Sequence, residues 1–117
     1  MVPVSGVERV SDAGAWAVLA LFGEIDVYLV ARVREAVDEL VSEGRVHLVW
    51  DLEGVSFMDS TGLGVLVYTM RSVEAREGSV RLAGPDGQVR RLLELTGLDA
   101  VVECHPDVAS ATERTAR

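Results

Sequence analysis

Three residues that could carry chemistry stand side by side in the middle of the chain, in the run Asp59-Ser60-Thr61. Each is a residue type that caps the N-terminus of an α-helix, and an apolar stretch follows directly. One cap satisfies the free backbone amides at a helix start, so nothing requires three such residues in a row. A phosphate on a hydroxyl there would be stabilised by those amides and by the helix dipole, whereas the neighbouring carboxylate would repel it. Residue types and spacing alone leave both a capping role and a phosphorylation role open.

Two glycines follow this run within the first turns of the predicted helix, at Gly62 and Gly64. Each costs about 1 kcal/mol relative to alanine in an exposed helix, so helix propensity does not explain them. A bare backbone permits close approach, either by a packed strand or by a partner that reaches the hydroxyl.

Composition excludes several other kinds of chemistry. The 117 residues include 19 acidic and 11 basic side chains, and all of the basic ones are arginine. A chain without lysine has no Schiff-base chemistry and no P-loop lysine. The net charge of -8 argues against nucleic acid or an anionic membrane as a partner and favours a basic or neutral partner surface.

No catalytic, metal-ligating or cofactor-binding residue is predicted, and the protein is expected not to be an enzyme. His47, His105 and the single Cys104 lack the spacing of a metal site. Segment 54–58 lacks the final glycine of a Gly-x-Ser-x-Gly elbow. Residues 1–6 do not resemble a signal peptide, and no apolar stretch approaches the roughly 20 residues that span a bilayer. A cytoplasmic location is therefore expected.

The elements that must position these residues alternate along the chain. Hydrophobic periodicity predicts strands at 7–10, 15–22, 46–52, 79–83 and 101–104, and helices at 29–43, 60–77, 88–96 and 107–114. This order indicates a single α/β domain with a mostly parallel sheet of about five strands after an opening hairpin, and about four helices. The domain is placed at residues 4–111, and residues 112–117 are expected to be a frayed tail.

Two loops are expected to face a ligand, because binding sites in such folds lie where a strand passes into a helix. They are segments 23–26 and 54–61. Segment 63–68 is apolar on nearly every side, which predicts that the first half of its helix is buried almost all round. In the following helix, Val89, Leu92, Leu93 and Leu95 are expected to point inward.

Segment 51–65, with its core Asp-Ser-Thr-Gly-Leu-Gly at 59–64, resembles the signature of bacterial anti-sigma factor antagonists, which are stand-alone STAS domains. Two weaker motifs of that family occur in the family's order, Gly-Glu-Ile-Asp at 23–26 and Leu-Thr-Gly-Leu at 95–98. The resemblance covers roughly residues 4–111.

The resemblance implies a phosphorylation switch at Ser60, the serine that follows the aspartate. Thr61 is the second choice, since a capping side chain is the more exposed of the two. The unmodified protein would bind an anti-sigma factor that has serine kinase activity and a histidine-kinase-like ATP-binding fold, which frees a sigma factor. Phosphorylation by that partner would end binding, and a PP2C-type phosphatase would reverse it. The protein is expected to be a monomer or weak dimer with a role in stress response. The expected partner interface consists of Asp26, Asp59, Ser60, Thr61, Gly62 and Gly64.

Two alternatives compete with this interpretation. Asp51, at the end of a buried strand, could be the phospho-acceptor of a response-regulator receiver, but receivers also need an early acidic pair and a lysine, and this chain has no lysine. The chain could instead be a STAS scaffold subunit of a larger stress-signalling assembly, with no sigma-release activity of its own.

Overall fold

Strands and helices alternate in the computed structural model of this protein, which describes residues 5–10 and 14–113. The strands are β1 (Gly6–Arg9), β2 (Ala17–Ile25), β3 (His47–Met58), β4 (Ser79–Ala83) and β5 (Glu103–His105). The helices are α1 (Val27–Ser42), α2 (Ser60–Glu74), α3 (Gly87–Thr96) and α4 (Val108–Ala111), and a 3-10 turn spans Leu98–Ala100.

The five strands form one sheet in the order β1-β2-β3-β4-β5. Only β1 and β2 are antiparallel, and every other neighbouring pair is parallel. The predicted fold class, a mostly parallel sheet after an opening hairpin, is confirmed. Residues 11–13 of the hairpin connection and residues 114–117 of the expected tail lie outside the described part of the chain.

Each face of the sheet carries its own apolar cluster, because successive residues of a strand point to opposite sides. On β2, Ala17 and Leu19 join the main core with buried side chains of α1, α2 and α3. Trp16 and Val18 point the other way and pack with Ala111 of α4. Three helices therefore cover one face, and the short α4 covers part of the other.

A buried arginine holds α4 in place. The Arg81 guanidinium lies 4.3 Å from the centre of the Trp16 ring. It donates to the Ala111 carbonyl at 2.9 Å and forms an ion pair with Glu103 at 3.4 Å. A buried cation with a ring, a carbonyl and a carboxylate around it has its charge compensated locally.

Strand β3 extends beyond its predicted end. The sequence predicted a strand over 46–52 and a loop over 54–61, whereas the strand continues to Met58. Its second half pairs with β2 as far as Ile25, through two register shifts. The predicted loop at 23–26 is wrong for the same reason, because Gly23 to Ile25 are the last residues of β2. The strand ends were missed because pairing, which sequence periodicity does not report, keeps them extended.

The burial of two helices also differs from expectation. Segment 63–68 is not buried all round, since Gly64 is exposed and Val67 and Tyr68 are half-buried. Leu95, expected to point inward, is 80% exposed. It lies two residues beyond the buried Leu93, which is about 200° around the helix.

Within the described residues, no helix has both the length and the apolar character needed to cross a bilayer.

Candidate phosphorylation and partner-binding site

Two helices begin side by side at one edge of the sheet. Strands β2 and β3 are parallel neighbours, and their last residues, Ile25 and Met58, are paired. Asp26 alone separates β2 from α1, and Asp59 alone separates β3 from α2. The Asp59 amide donates to the Ile25 carbonyl at 3.3 Å, which ties the two helix starts together. The two strand-to-helix junctions singled out from the sequence thus adjoin one another.

Asp59 is the residue that caps α2. Its carboxylate oxygen Oδ1 accepts from the amides of Thr61 at 2.9 Å and Gly62 at 3.4 Å, and also from the Thr61 hydroxyl. The Thr61 hydroxyl bond is the main reason that the pKa of Asp59 is lowered, with the amide bonds adding to it and partial burial opposing it. Of the three capping candidates the structure selects Asp59, so the ranking of Ser60 above Thr61 as the capping side chain is wrong in its reason.

Ser60 is the first residue of α2, and its side chain is exposed. Within the part of the chain that the structure describes, its hydroxyl has no hydrogen-bond partner. Thr61 is also exposed, but its hydroxyl is engaged by Asp59. Of the two neighbouring hydroxyls, that of Ser60 is the one without a hydrogen-bond partner among the described residues.

Asp26 caps α1 in the same manner. Its Oδ1 accepts from the Tyr28 amide at 3.0 Å. The two residues after it carry unusually exposed apolar side chains, 58% for Val27 and 87% for Tyr28. Tyr28 lies outside the helix predicted from the sequence, which begins at Leu29, and the capping preference of Asp26 was the signal for an earlier start.

The two glycines of α2 have different reasons to be glycine. A Cβ atom on Gly62 would lie 2.5 Å from Met58 Cγ and 3.2 Å from Ile25 Cγ2, so packing on the strand ends requires the bare backbone. A Cβ atom on Gly64 would have no heavy atom within 4 Å. Close approach by the strands therefore explains Gly62 but leaves Gly64 unexplained by the fold.

A groove of about 360 Å³ runs between α1 and α2 beside this site. The Arg34 guanidinium lies 4.0 Å from the centre of the Tyr68 ring, and the Tyr68 hydroxyl donates to Asp38 at 2.5 Å. The groove is lined by Val30, Ala31, Arg34, Thr61, Gly64, Val65 and Tyr68. Most of these residues are apolar, and the Arg34 guanidinium is held in the wall by the Tyr68 ring.

The lowered pKa of Asp59 predicts a loss of stability in acid. Because the carboxylate is held in its charged form by the folded state, its contribution is complete above the unfolded pKa and is lost as pH falls through the lower folded pKa. We expect Asp59→Ala to cost about 1 kcal/mol at neutral pH and less as pH falls through the folded pKa, since a protonated cap accepts more weakly. Urea unfolding at a series of pH values measures this.

Asp107, which caps α4 and also has a lowered pKa because of its bonds to Ser110, supplies the matched variant. Asp107→Ala should remove the part of the acid loss of unfolding free energy that Asp107 contributes. The part that Asp59 contributes should remain in that variant. An Asp59→Ala curve that runs parallel to wild type at all pH values would contradict the prediction.

Residues 6–111 match the family model of the STAS domain. The chain belongs to this family. The STAS domain is 36% identical over 100 residues to the anti-sigma F factor antagonist of Lysinibacillus sphaericus, covering 85% of this chain and 80% of that protein. It is 41% identical over 81 residues to an anti-sigma-B factor antagonist of Listeria monocytogenes, covering 69% of this chain and 71% of that protein.

Among solved structures, the STAS domain resembles the Bacillus cell fate determinant SpoIIAA in its phosphorylated form. The TM-score is 0.73 at 28% identity, and the likeness covers 95% of this chain and 98% of SpoIIAA. The family resemblance read from the motifs is confirmed.

Proposed function

We propose that this STAS domain is an anti-sigma factor antagonist whose binding is switched off by phosphorylation of Ser60. Its relatives carry the name anti-sigma factor antagonist. The single observation that carries the proposal is the exposed Ser60 hydroxyl, which has no hydrogen-bond partner within the described residues and stands at the start of α2 beside the Asp59 carboxylate. We call the residues around it the acceptor surface: Asp26, Asp59, Ser60, Thr61, Gly62 and Gly64.

In the unmodified state the acceptor surface binds an anti-sigma factor and thereby frees the sigma factor. Asp26 and Asp59 each use Oδ1 for capping, which leaves Oδ2 of each for cationic side chains of the partner. The partner is proposed to have serine kinase activity, because the proposed modification needs a phosphoryl donor. The resemblance to anti-sigma factor antagonists implies a histidine-kinase-like ATP-binding fold for that partner.

Phosphorylation transfers the terminal phosphoryl group of ATP to the Ser60 oxygen, with loss of the hydroxyl proton and departure of ADP. The product carries about -1.5 to -2 charges at pH 7. The amides of Thr61 and Gly62 already donate to Asp59, so these two are not available to bind the phosphate. The new charge therefore faces the partner, and a PP2C-type phosphatase with divalent metal ions removes it by hydrolysis.

Intact-mass analysis tests the proposal. Each anti-sigma factor encoded in the host is purified and incubated with the protein and ATP. One of them should add one phosphate to wild type and to Thr61→Ala, and none to Ser60→Ala. Thr61→Ala is the matched control because it removes the neighbouring hydroxyl.

Two outcomes would contradict the proposal. Stoichiometric phosphorylation of Ser60→Ala would show that the site is wrong. A megadalton assembly on gel filtration, without binding to any anti-sigma factor, would favour the scaffold alternative instead.

A further inference from the structure

Among the described residues, one edge of β3 has no neighbouring strand over its second half. Strand β4 pairs with β3 only from His47 to Asp51, while β3 continues to Met58. At Met58 a side chain takes the place of the missing strand. Gln88, in the first turn of α3, accepts from the Met58 amide at 2.9 Å and donates to the Met58 carbonyl at 2.7 Å. A primary amide offers the same donor and acceptor pair that a parallel strand would offer.

The residue held in this way stands directly before the acceptor surface. Met58 is 1% exposed, and its side chain lies beneath Gly62. A larger residue at position 62 would displace the Met58 side chain. On the opposite edge, the next residue, Asp59, donates to the Ile25 carbonyl. The main chain is therefore fixed from both sides over the two residues that lead into α2.

We propose that Gln88 is a positioning residue for the phosphorylation site, acting through the Met58 main chain on the start of α2. This inference rests on the proposed function, because Ser60 is the residue being positioned. Gln88 lies 30 positions from Met58 in sequence. Helix α3 is capped by Asp86, whose carboxylate accepts from the Gly87 amide at 2.8 Å. The acceptor surface thus depends on a third helix that contributes no residue to it.

Amide hydrogen exchange on the free protein tests the positioning step. Gln88→Met keeps the length of the side chain and removes both hydrogen bonds, and Gln88→Glu keeps an acceptor and removes the donor. Loss of both bonds should speed exchange of the Met58 amide about tenfold or more, with the cap amides of Thr61 and Gly62 following. Gln88→Glu should fall between Gln88→Met and wild type. Arg91→Ala, an exposed change on the same helix, should leave all three amides as in wild type.

A general stabilising role predicts a different pattern. In that case exchange would accelerate equally at Leu48 and Leu82, which lie in the paired part of β3 and β4. Equal acceleration across the sheet, or no change at the Met58 and cap amides, would overturn the proposal.

A second measurement separates this inference from the proposed function. The host anti-sigma factor that phosphorylates wild type is titrated with Gln88→Met, which should bind several-fold more weakly, and with Arg91→Ala, which should bind as wild type. Unchanged affinity despite faster exchange of the cap amides would overturn the positioning role. If no anti-sigma factor phosphorylates wild type, the proposed function fails, while the exchange pattern still decides how Gln88 acts.

Discussion

Ser60→Asp is expected to weaken binding to the anti-sigma factor more than 100-fold, whereas Ser60→Ala binds as tightly as unmodified wild type. A loss of about 3 kcal/mol is enough for this factor, and repulsion plus desolvation of a charge placed at an interface supplies it. The amides of Thr61 and Gly62 already donate to Asp59, so the helix dipole offsets only about 0.3–1 kcal/mol of this loss. Calorimetric titration of both variants measures the difference.

Urea unfolding distinguishes a loss of binding affinity in Ser60→Asp from a loss of folding stability. Ser60 is exposed in the first turn of α2, where an acidic side chain interacts favourably with the helix dipole. Ser60→Asp should therefore unfold at the same urea concentration as wild type or slightly higher. Ser56→Asp is the matched control, since it places the same charge on an exposed serine of β3 outside the acceptor surface. Equal affinities for Ser60→Asp and Ser60→Ala would refute the charge switch.

The fold class could be predicted from the sequence because the signals for it are local. The apolar face of α1 repeats at helical spacing, and the run at 46–52 is apolar enough to be a central strand. The second half of β3 carries no such signal. Gly54 and Ser56 are exposed and have low strand propensity, so this segment looks like a loop. Pairing with β2 and, at Met58, the two hydrogen bonds with Gln88 keep it extended.

The residues proposed for the acceptor surface can be singled out from the sequence, whereas their arrangement cannot. Asp59, Ser60 and Thr61 are all capping types, and propensity cannot choose among three consecutive candidates. Three-dimensional placement chooses Asp59, because the bond from its amide to Ile25 sets where the helix begins. The contribution of Gln88 had no sequence signal at all, since a side chain that bonds to a strand 30 residues away follows no periodicity.

Gly64→Ala and Gly64→Trp are expected to separate folding from binding. Because Gly64 is exposed in α2 with open space around it, Gly64→Ala should stabilise the fold by about 1 kcal/mol. Gly62→Ala is the matched comparison and should destabilise the protein, since its new methyl group meets the Met58 side chain. Thermal unfolding of the two alanine variants should therefore shift in opposite directions.

Binding to the anti-sigma factor should respond to side-chain size at position 64. Gly64 lines the groove between α1 and α2, so the tryptophan ring of Gly64→Trp would occupy space that the partner needs. A loss of about 3 kcal/mol, the upper range for steric overpacking, corresponds to more than 100-fold weaker binding. Gly64→Ala should lose only a few-fold, and neither variant should unfold more easily than wild type. If Gly64→Trp binds the anti-sigma factor as tightly as wild type, the open backbone at this position has no role in recognition, and the acceptor surface ends at Gly62.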